Sequence, residues 1–158
     1  MGGFAINDLQ AQFVLTPSGL KCEDDNDYIV IEFENKTKEQ LFDNTHLSAN
    51  SSFVSPQDVI SVSGKEQITL NGVATNIRWR NIILKHCSVN FTITILLKDG
   101  KIRINNPIIN KIYTSGSELK LVQSNVMNKD GIFKKNGKIY SEPTKEDIET
   151  FSTNLLTT

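Results

Sequence analysis

Only two cysteines, Cys22 and Cys87, occur in the 158 residues, and they lie far apart. That spacing makes neither a zinc pattern nor a CxxC redox motif. Two readings stay open: one disulfide in an exported protein, or two separate small thiols packed as hydrophobes. Histidine is as scarce, with His46 and His86 alone, and neither has a Ser/His/Asp, Cys/His or HExxH context. His86 and Cys87 are neighbours, but adjacent side chains on a strand point to opposite faces, so they share neither a metal nor a proton. No glycine-rich phosphate loop is present. No catalytic residue, metal or cofactor is therefore assigned, and an enzyme is not expected.

An excess of one charge is also missing. Lys and Arg total 17 and Asp and Glu 18, for a formal charge of -1. Nucleic-acid binders draw most of their affinity from phosphate neutralisation by a basic excess, so no nucleic-acid partner is expected. Long apolar runs are absent too. The best candidate, Phe91–Leu97, is short and interrupted by threonines, so no transmembrane segment is expected. The start, Met1-Gly2-Gly3-Phe4, lacks the basic residues and apolar core of a signal peptide.

What is present is an ordinary globular composition, 38% hydrophobic and 22% charged, at the length of one domain. Residues 1–27 read as a lead-in, with Phe4, Ile6 and Leu9 hinting at an apolar face and the run Glu23–Asp27 as a solvated acidic turn. Residues 28–158 read as a single α+β domain. Tyr28–Glu34 alternates as a strand, with Ile29, Ile31 and Phe33 on its core face. Thr37 and Gln40 form a capping box, which predicts a helix from about Lys38 to Asn50 that buries Leu41, Phe42, Thr45 and Ala49. Ser55-Pro56 ends that unit. Asp58–Ser63 is expected as a strand, Gly64-Lys65 as a turn and Gln67–Leu70 as the hairpin partner. Asn71-Gly72 reads as a tight turn or a glycine bulge, and Val73–Lys85 as strand or connection.

The clearest local signal lies further on. Val89, Phe91, Ile93, Ile95 and Leu97 alternate with partners of another kind, and Asp99-Gly100 then reads as a two-residue hairpin turn with positive φ angles. Leu97 should face Ile102 and Ile95 face Ile104 on the buried side, and Thr94 face Asn105 and Leu96 face Arg103 on the other. A one-residue slip would turn the apolar set to water, so the register is strongly specified. Leu119–Asn125 is a further strand candidate. Thr144 is a good N-cap, and Ile148, Phe151 and Leu155 recur at helical spacing, which predicts a C-terminal amphipathic helix covering the sheet.

Phe13–Leu20, Tyr28–Phe33, Ser55–Ser61 and the run Phe91–Ile104 with its Lys-Asp-Gly-Lys-Ile-Arg hairpin carry a resemblance. Over roughly residues 13–113 the chain resembles an uncharacterised bacterial domain-of-unknown-function family with a TATA-box-binding-protein-like fold, found mostly in exported or lipoprotein-like proteins of gut bacteria. The resemblance implies an antiparallel β-sheet with two helices packed on one face, and a periplasmic or cell-envelope location. It carries over no catalytic residues. The first helix of this chain has fewer aromatic and long apolar residues than the family pattern. The same fold hosts DNA binding elsewhere, but fold alone does not imply function.

Two functional readings follow. The first is a cell-envelope binding or scaffold domain that presents the open sheet face, with Thr92, Thr94, Lys101 and Arg103, to a partner. The second is a small-ligand binder with a pocket between sheet and helices, walled by Trp79 or Phe42. Arg78-Trp79-Arg80 mixes basic and aromatic character, but reads as a strand with Trp79 inward and the arginines outward. The sequons at Asn35, Asn50 and Asn90 read as coincidental in a chain this rich in Asn, Ser and Thr.

Overall fold

Alternating burial along one long strand organises the molecule. The computed structural model describes residues 13–81, 83–114, 116–127, 130–139 and 148–149. In chain order the strands are β1 (Phe13–Thr16), β2 (Gly19–Cys22), β3 (Tyr28–Glu32), β4 (Ile60–Ser63), β5 (Gln67–Asn81), β6 (Ile83–Lys98), β7 (Lys101–Asn105), β8 (Ile108–Thr114), β9 (Ser117–Val122) and β10 (Gly131–Phe133). The helix α1 (Lys38–Ser52) and the single turn α2 (Pro56–Val59) lie between β3 and β4. Along β6, Cys87, Val89, Phe91, Ile93, Ile95 and Leu97 are buried, while the residues between them are only partly so.

That strand is the spine of the main sheet. β5 pairs along one edge of β6. The other edge is divided: β8 takes Cys87–Thr92 and β7 takes Ile95–Lys98. β3 adds outside β7, β4 outside β5, and β9 outside β8. These pairings are antiparallel, and β10 joins β9 in parallel. Residues 13–22, within the segment read as a lead-in, form the β1–β2 hairpin, and Phe13, Leu15, Leu20 and Cys22 join the same core cluster as the sheet. Phe4, Ile6 and Leu9 lie outside the described residues.

The predicted helix is present. Thr37 and Gln40 make the reciprocal capping box, and Leu41, Phe42, Thr45 and Ala49 are its buried residues. The β6–β7 hairpin also has the expected register, with Leu97 opposite Ile102, Leu96 opposite Arg103 and Ile95 opposite Ile104; the described pairing ends there, and Asn105, expected opposite Thr94, stands opposite Tyr28 of β3 instead. Its turn differs in one respect. Gly100 has φ 72°, but Asp99 is not among the residues at positive φ. Asp99 also has a second task. Its Oδ1 accepts the Lys38 N–H at 2.7 Å, beside the capping box, while the Gly100 N–H donates to the Lys36 carbonyl and the Gly100 carbonyl accepts from Phe33. The hairpin tip thus satisfies a free donor at the start of α1 and favours the helix dipole. Lys38 Nζ also meets Glu66 Oε1 at 2.8 Å. That hydrogen bond holds the Glu66 carboxyl below its ordinary range and the Lys38 ammonium above its own.

Other expectations are corrected. Pro56–Val59 is a helical turn, so the strand expected from Asp58 begins only at Ile60. Proline suits the first helical position because its missing N–H would have no partner there. Asn71-Gly72 is neither turn nor bulge. It runs straight through β5, and Gly72 sits opposite Phe91. A Cβ on Gly72 would collide with the Phe91 ring, so the glycine is there for a close approach. Val73–Lys85 is strand on both sides of a hairpin, with an irregularity between Ala74 and Ile77. The strand expected over Leu119–Asn125 ends at Val122.

The disulfide alternative is also corrected. Cys22 and Cys87 are both buried and form no disulfide. Cys22 Sγ donates to Asn106 Oδ1 at 3.0 Å, and Cys87 pairs through its backbone with Ile77 and Thr114. Burial, then the nearby Asp24 and Asp27 carboxylates, push the Cys22 thiol up. Of the expected C-terminal helix, Ile148 and Glu149 are described and helical. Ile148 is fully buried in the core, and Glu149 Oε1 accepts the Leu15 N–H at 2.7 Å. Thr144, Phe151 and Leu155 lie outside the described residues.

Three measurements check this fold. Gly100→Val should lower stability in urea, because a β-branched residue is strained at that φ, and Asp99→Ala should cost about 0.5–2 kcal/mol as a lost cap. An Asp99→Ala midpoint equal to wild type removes the cap argument. Ile148→Ala should cost about 2–5 kcal/mol by the same titration, since its side chain is fully enclosed; a cost near zero would place the C-terminal residues outside the core. Iodoacetamide should alkylate the native thiols slowly at neutral pH and both thiols rapidly in guanidinium without reductant. Failure to label in guanidinium would reveal a disulfide.

Candidate functional site: the open face of the sheet

Residues that alternate with the core positions share the opposite face, because strand side chains have a period of two. On β6 these are Ser88, Asn90, Thr92, Thr94 and Leu96. By register, Thr94 stands opposite Thr69, Thr92 opposite Asn71, Leu96 opposite Gln67 and Arg103, and Lys101 opposite Glu32 and Lys98. The structure therefore brings Thr92, Thr94, Lys101 and Arg103 onto one face, the one away from the buried core.

They fall into two neighbouring patches. In the first, Thr92 Oγ1 donates to Asn71 Oδ1 at 2.7 Å and accepts from Asn110 Nδ2 at 2.8 Å. Gln67 Nε2 donates to Thr69 Oγ1 at 3.1 Å alongside. In the second, the Arg103 guanidinium lies 3.8 Å over the Tyr28 ring, and its Nε donates to Asn105 Oδ1 at 2.9 Å. This stacking holds a long cation in place while leaving it exposed. Tyr28, Val30, Val73 and Ile108 add large exposed apolar surface to the same face. The result is a hydrogen-bonded polar surface with exposed apolar side chains beside it.

Tyr28 was legible as an outward residue of its strand, but its pairing with Arg103 needed the β3–β7 contact. Asn110 carried no signal. It reaches Thr92 because the β6–β8 register shifts there: Lys111 faces Asn90 and Ile109 faces Phe91, leaving Asn110 as the extra residue.

Of the two residues offered as pocket walls, Phe42 is described in full and Trp79 by its backbone alone. Phe42 is buried in the core, with its ring stacked on His46 at 5.5 Å between centroids. Trp79 stands opposite Lys85 in the β5–β6 hairpin, and its side chain lies outside the described residues. Two open clefts are lined by described residues. One, of about 630 Å³, is lined by Cys22, Asp24, Asn26, Tyr28 and Val30 among others. The other, of about 530 Å³, is lined by residues including Asn90, Lys111, Tyr113, Ser117 and Glu118. Among the described residues, neither is lined by Phe42 or by a helix residue. In the second, Lys111 and Glu118 pair at 3.4 Å, and the buried Asn90 Oδ1 has no hydrogen-bond partner among the described residues.

Among the described residues, no group of three His, Cys, Asp or Glu side chains is placed to share a metal ion. No helix among them is long and apolar enough to cross a membrane.

No protein-family model matches this chain, and no curated protein sequence matches it significantly. Solved structures do. A DUF4468 family protein from Bacteroides ovatus superposes with a TM-score of 0.60 at 14% identity, over 82% of this chain and 80% of that one. A TBP-like protein from Parabacteroides distasonis superposes with a TM-score of 0.53 at 14% identity, over 82% of this chain and 88% of that one. Both sources are gut bacteria, as the resemblance in the sequence implies. At such identity the likeness establishes the fold: this chain is an α+β domain of the TATA-box-binding-protein-like kind, with an antiparallel main sheet and helices on its core side.

Proposed function

We propose that this domain is a binding module of the cell envelope, and that it presents the open face of its sheet to a protein partner. The observation that carries the proposal is the ordered face itself. Thr92 is held from both sides by Asn71 and Asn110, and Arg103 is stacked on Tyr28 and tied to Asn105. Side chains ordered in advance lose less entropy on binding, which favours a specific contact. The exposed Tyr28 and Val30 beside Arg103 match the aromatic and arginine character of interface anchors. The envelope location rests on the resemblance of the sequence to exported and lipoprotein-like proteins.

A protein partner suits the face better than nucleic acid. Lys101 and Arg103 share it with Glu32, and Lys111 is already paired with Glu118. Mixed charge of this kind gives a phosphate backbone little net attraction.

The test is capture from envelope extract by immobilised wild-type protein and by a Thr92→Ala, Thr94→Ala, Lys101→Glu, Arg103→Glu variant of unchanged melting temperature. The expected result is a partner retained by wild type, lost by the variant, and untouched by added duplex DNA. Identical proteins on both resins would remove this face from the reading.

A further inference from the structure

Two Asn-Gly steps occur in the chain, Asn71-Gly72 and Asn136-Gly137. Such a step can close on itself: the glycine nitrogen attacks the asparagine side-chain carbon, and no glycine side chain stands in the way. The fold puts the two steps in opposite settings.

Asn71-Gly72 lies inside β5. Asn71, Gly72 and Val73 pair in regular register with Thr92, Phe91 and Asn90 of β6. Asn71 Oδ1 accepts from Thr92 Oγ1 at 2.7 Å, and Gly72 is buried against the Phe91 ring. Ring closure folds the asparagine side chain back over the glycine nitrogen, so this stretch must first leave the sheet. Paired central strands open far less readily than exposed turns.

Asn136-Gly137 lies in an exposed turn between Phe133 and Ile139, which form an antiparallel bridge. The Lys134 N–H donates to the Lys138 carbonyl at 2.8 Å, and the Gly137 N–H to the Lys134 carbonyl at 2.9 Å. The Lys138 N–H donates to Asn136 Oδ1 at 3.1 Å. That last bond polarises the carbonyl under attack and stays aimed at its oxygen as negative charge develops there, in the manner of an oxyanion hole. Lys134, Lys135 and Lys138 flank the step, and nearby cations favour the ionised glycine nitrogen that attacks. The bond from Gly137 to Lys134 opposes that ionisation, but it belongs to an exposed turn and opens locally.

We propose that Asn136 is a site of spontaneous deamidation in the folded protein, and that the sheet protects Asn71 from the same reaction. Hydroxide removes the Gly137 amide proton. The nitrogen bonds to Asn136 Cγ, the Cγ–Nδ2 bond breaks, and the leaving nitrogen departs as ammonia with a proton from water. Water then opens the cyclic imide at either carbonyl, giving aspartate or isoaspartate. Either product adds one negative charge to a turn that carries Lys134, Lys135 and Lys138. Isoaspartate also lengthens the backbone between the bridged Phe133 and Ile139. Asn136 takes no part in the open-face contact, so the two readings stand or fall separately.

The experiment is storage of the full chain in mildly alkaline buffer below its melting temperature, beside a sample held unfolded in guanidinium. Mass-spectrometric mapping after Glu-C digestion reads each asparagine, and an isoaspartyl methyltransferase assay reads isoaspartate. In the folded sample Asn136 should convert at least about tenfold faster than Asn71, the ratio that about 1.4 kcal/mol of extra opening free energy at the strand produces. In the unfolded sample the two rates should be alike. The Asn136 rate should rise with pH, and isoaspartate should be among its products. Asn136→Gln should remove the acidic variant from the ion-exchange profile, because glutamine cannot close the five-membered ring; the mapping of the wild-type chain stands without this variant. Equal conversion of both asparagines in the folded sample would overturn protection by the sheet. An Asn136 that stays intact in the fold while the unfolded chain converts would overturn the site itself. Aspartate with no isoaspartate would mean direct hydrolysis by water and overturn the cyclic imide.

Discussion

The carboxylate of Asp99 reaches the Lys38 N–H at 2.7 Å, and the backbone of Gly100 bonds both Lys36 and Phe33. Through these bonds the tip of one hairpin becomes the cap of the only long helix described. The arrangement depends on a glycine at φ 72° to turn the chain, and on an acidic residue just before it to aim at the helix start. The Glu66 carbonyl accepts from Leu97, and its side chain meets Lys38, so the β4–β5 turn is drawn into the same corner. Such exposed pairs add little energy singly. Their importance is geometric: they fix the start of α1 against the β6–β7 hairpin, over the face that the alternating apolar residues of β6 already mark for burial. The helix itself is weakly amphipathic and rich in Asn, Ser and Thr, so it relies on this fixation and on Leu41, Phe42, Thr45 and Ala49 for its place.

Covering one face leaves the other open, and the irregularities of the sheet shape what that face offers. The shift at Asn110 turns an amide onto the open face beside Thr92. The shift between Ala74 and Ile77 breaks the regular pairing of β5 with β6. Gly72 lets the Phe91 ring lie against the β5 backbone on the core side. Each is a local departure from ideal pairing with a consequence for packing or for access. Sheet bulges are expected to re-aim side chains in this way.

Part of this was written in local sequence. The capping box of Thr37 and Gln40, the buried stripe of α1 and the register of Leu97 against Ile102 each depend on residues a few positions apart. Period and capping chemistry act at that range, so the open-face positions Thr92, Thr94, Lys101 and Arg103 were legible as one face. Tertiary structure decided the rest. Whether Cys22 meets Cys87 depends on where β2 sits relative to β6, and no spacing encodes it. The straight passage of Asn71-Gly72 depends on Phe91 across the sheet, and the negative φ of Asp99 goes with a helix that begins 61 residues earlier in the chain. The stacking of Arg103 on Tyr28 and the hold of Asn110 on Thr92 require strands brought together from distant parts of the chain. Local patterning determined which side chains face together, and only the pairing of remote strands determined which of them touch.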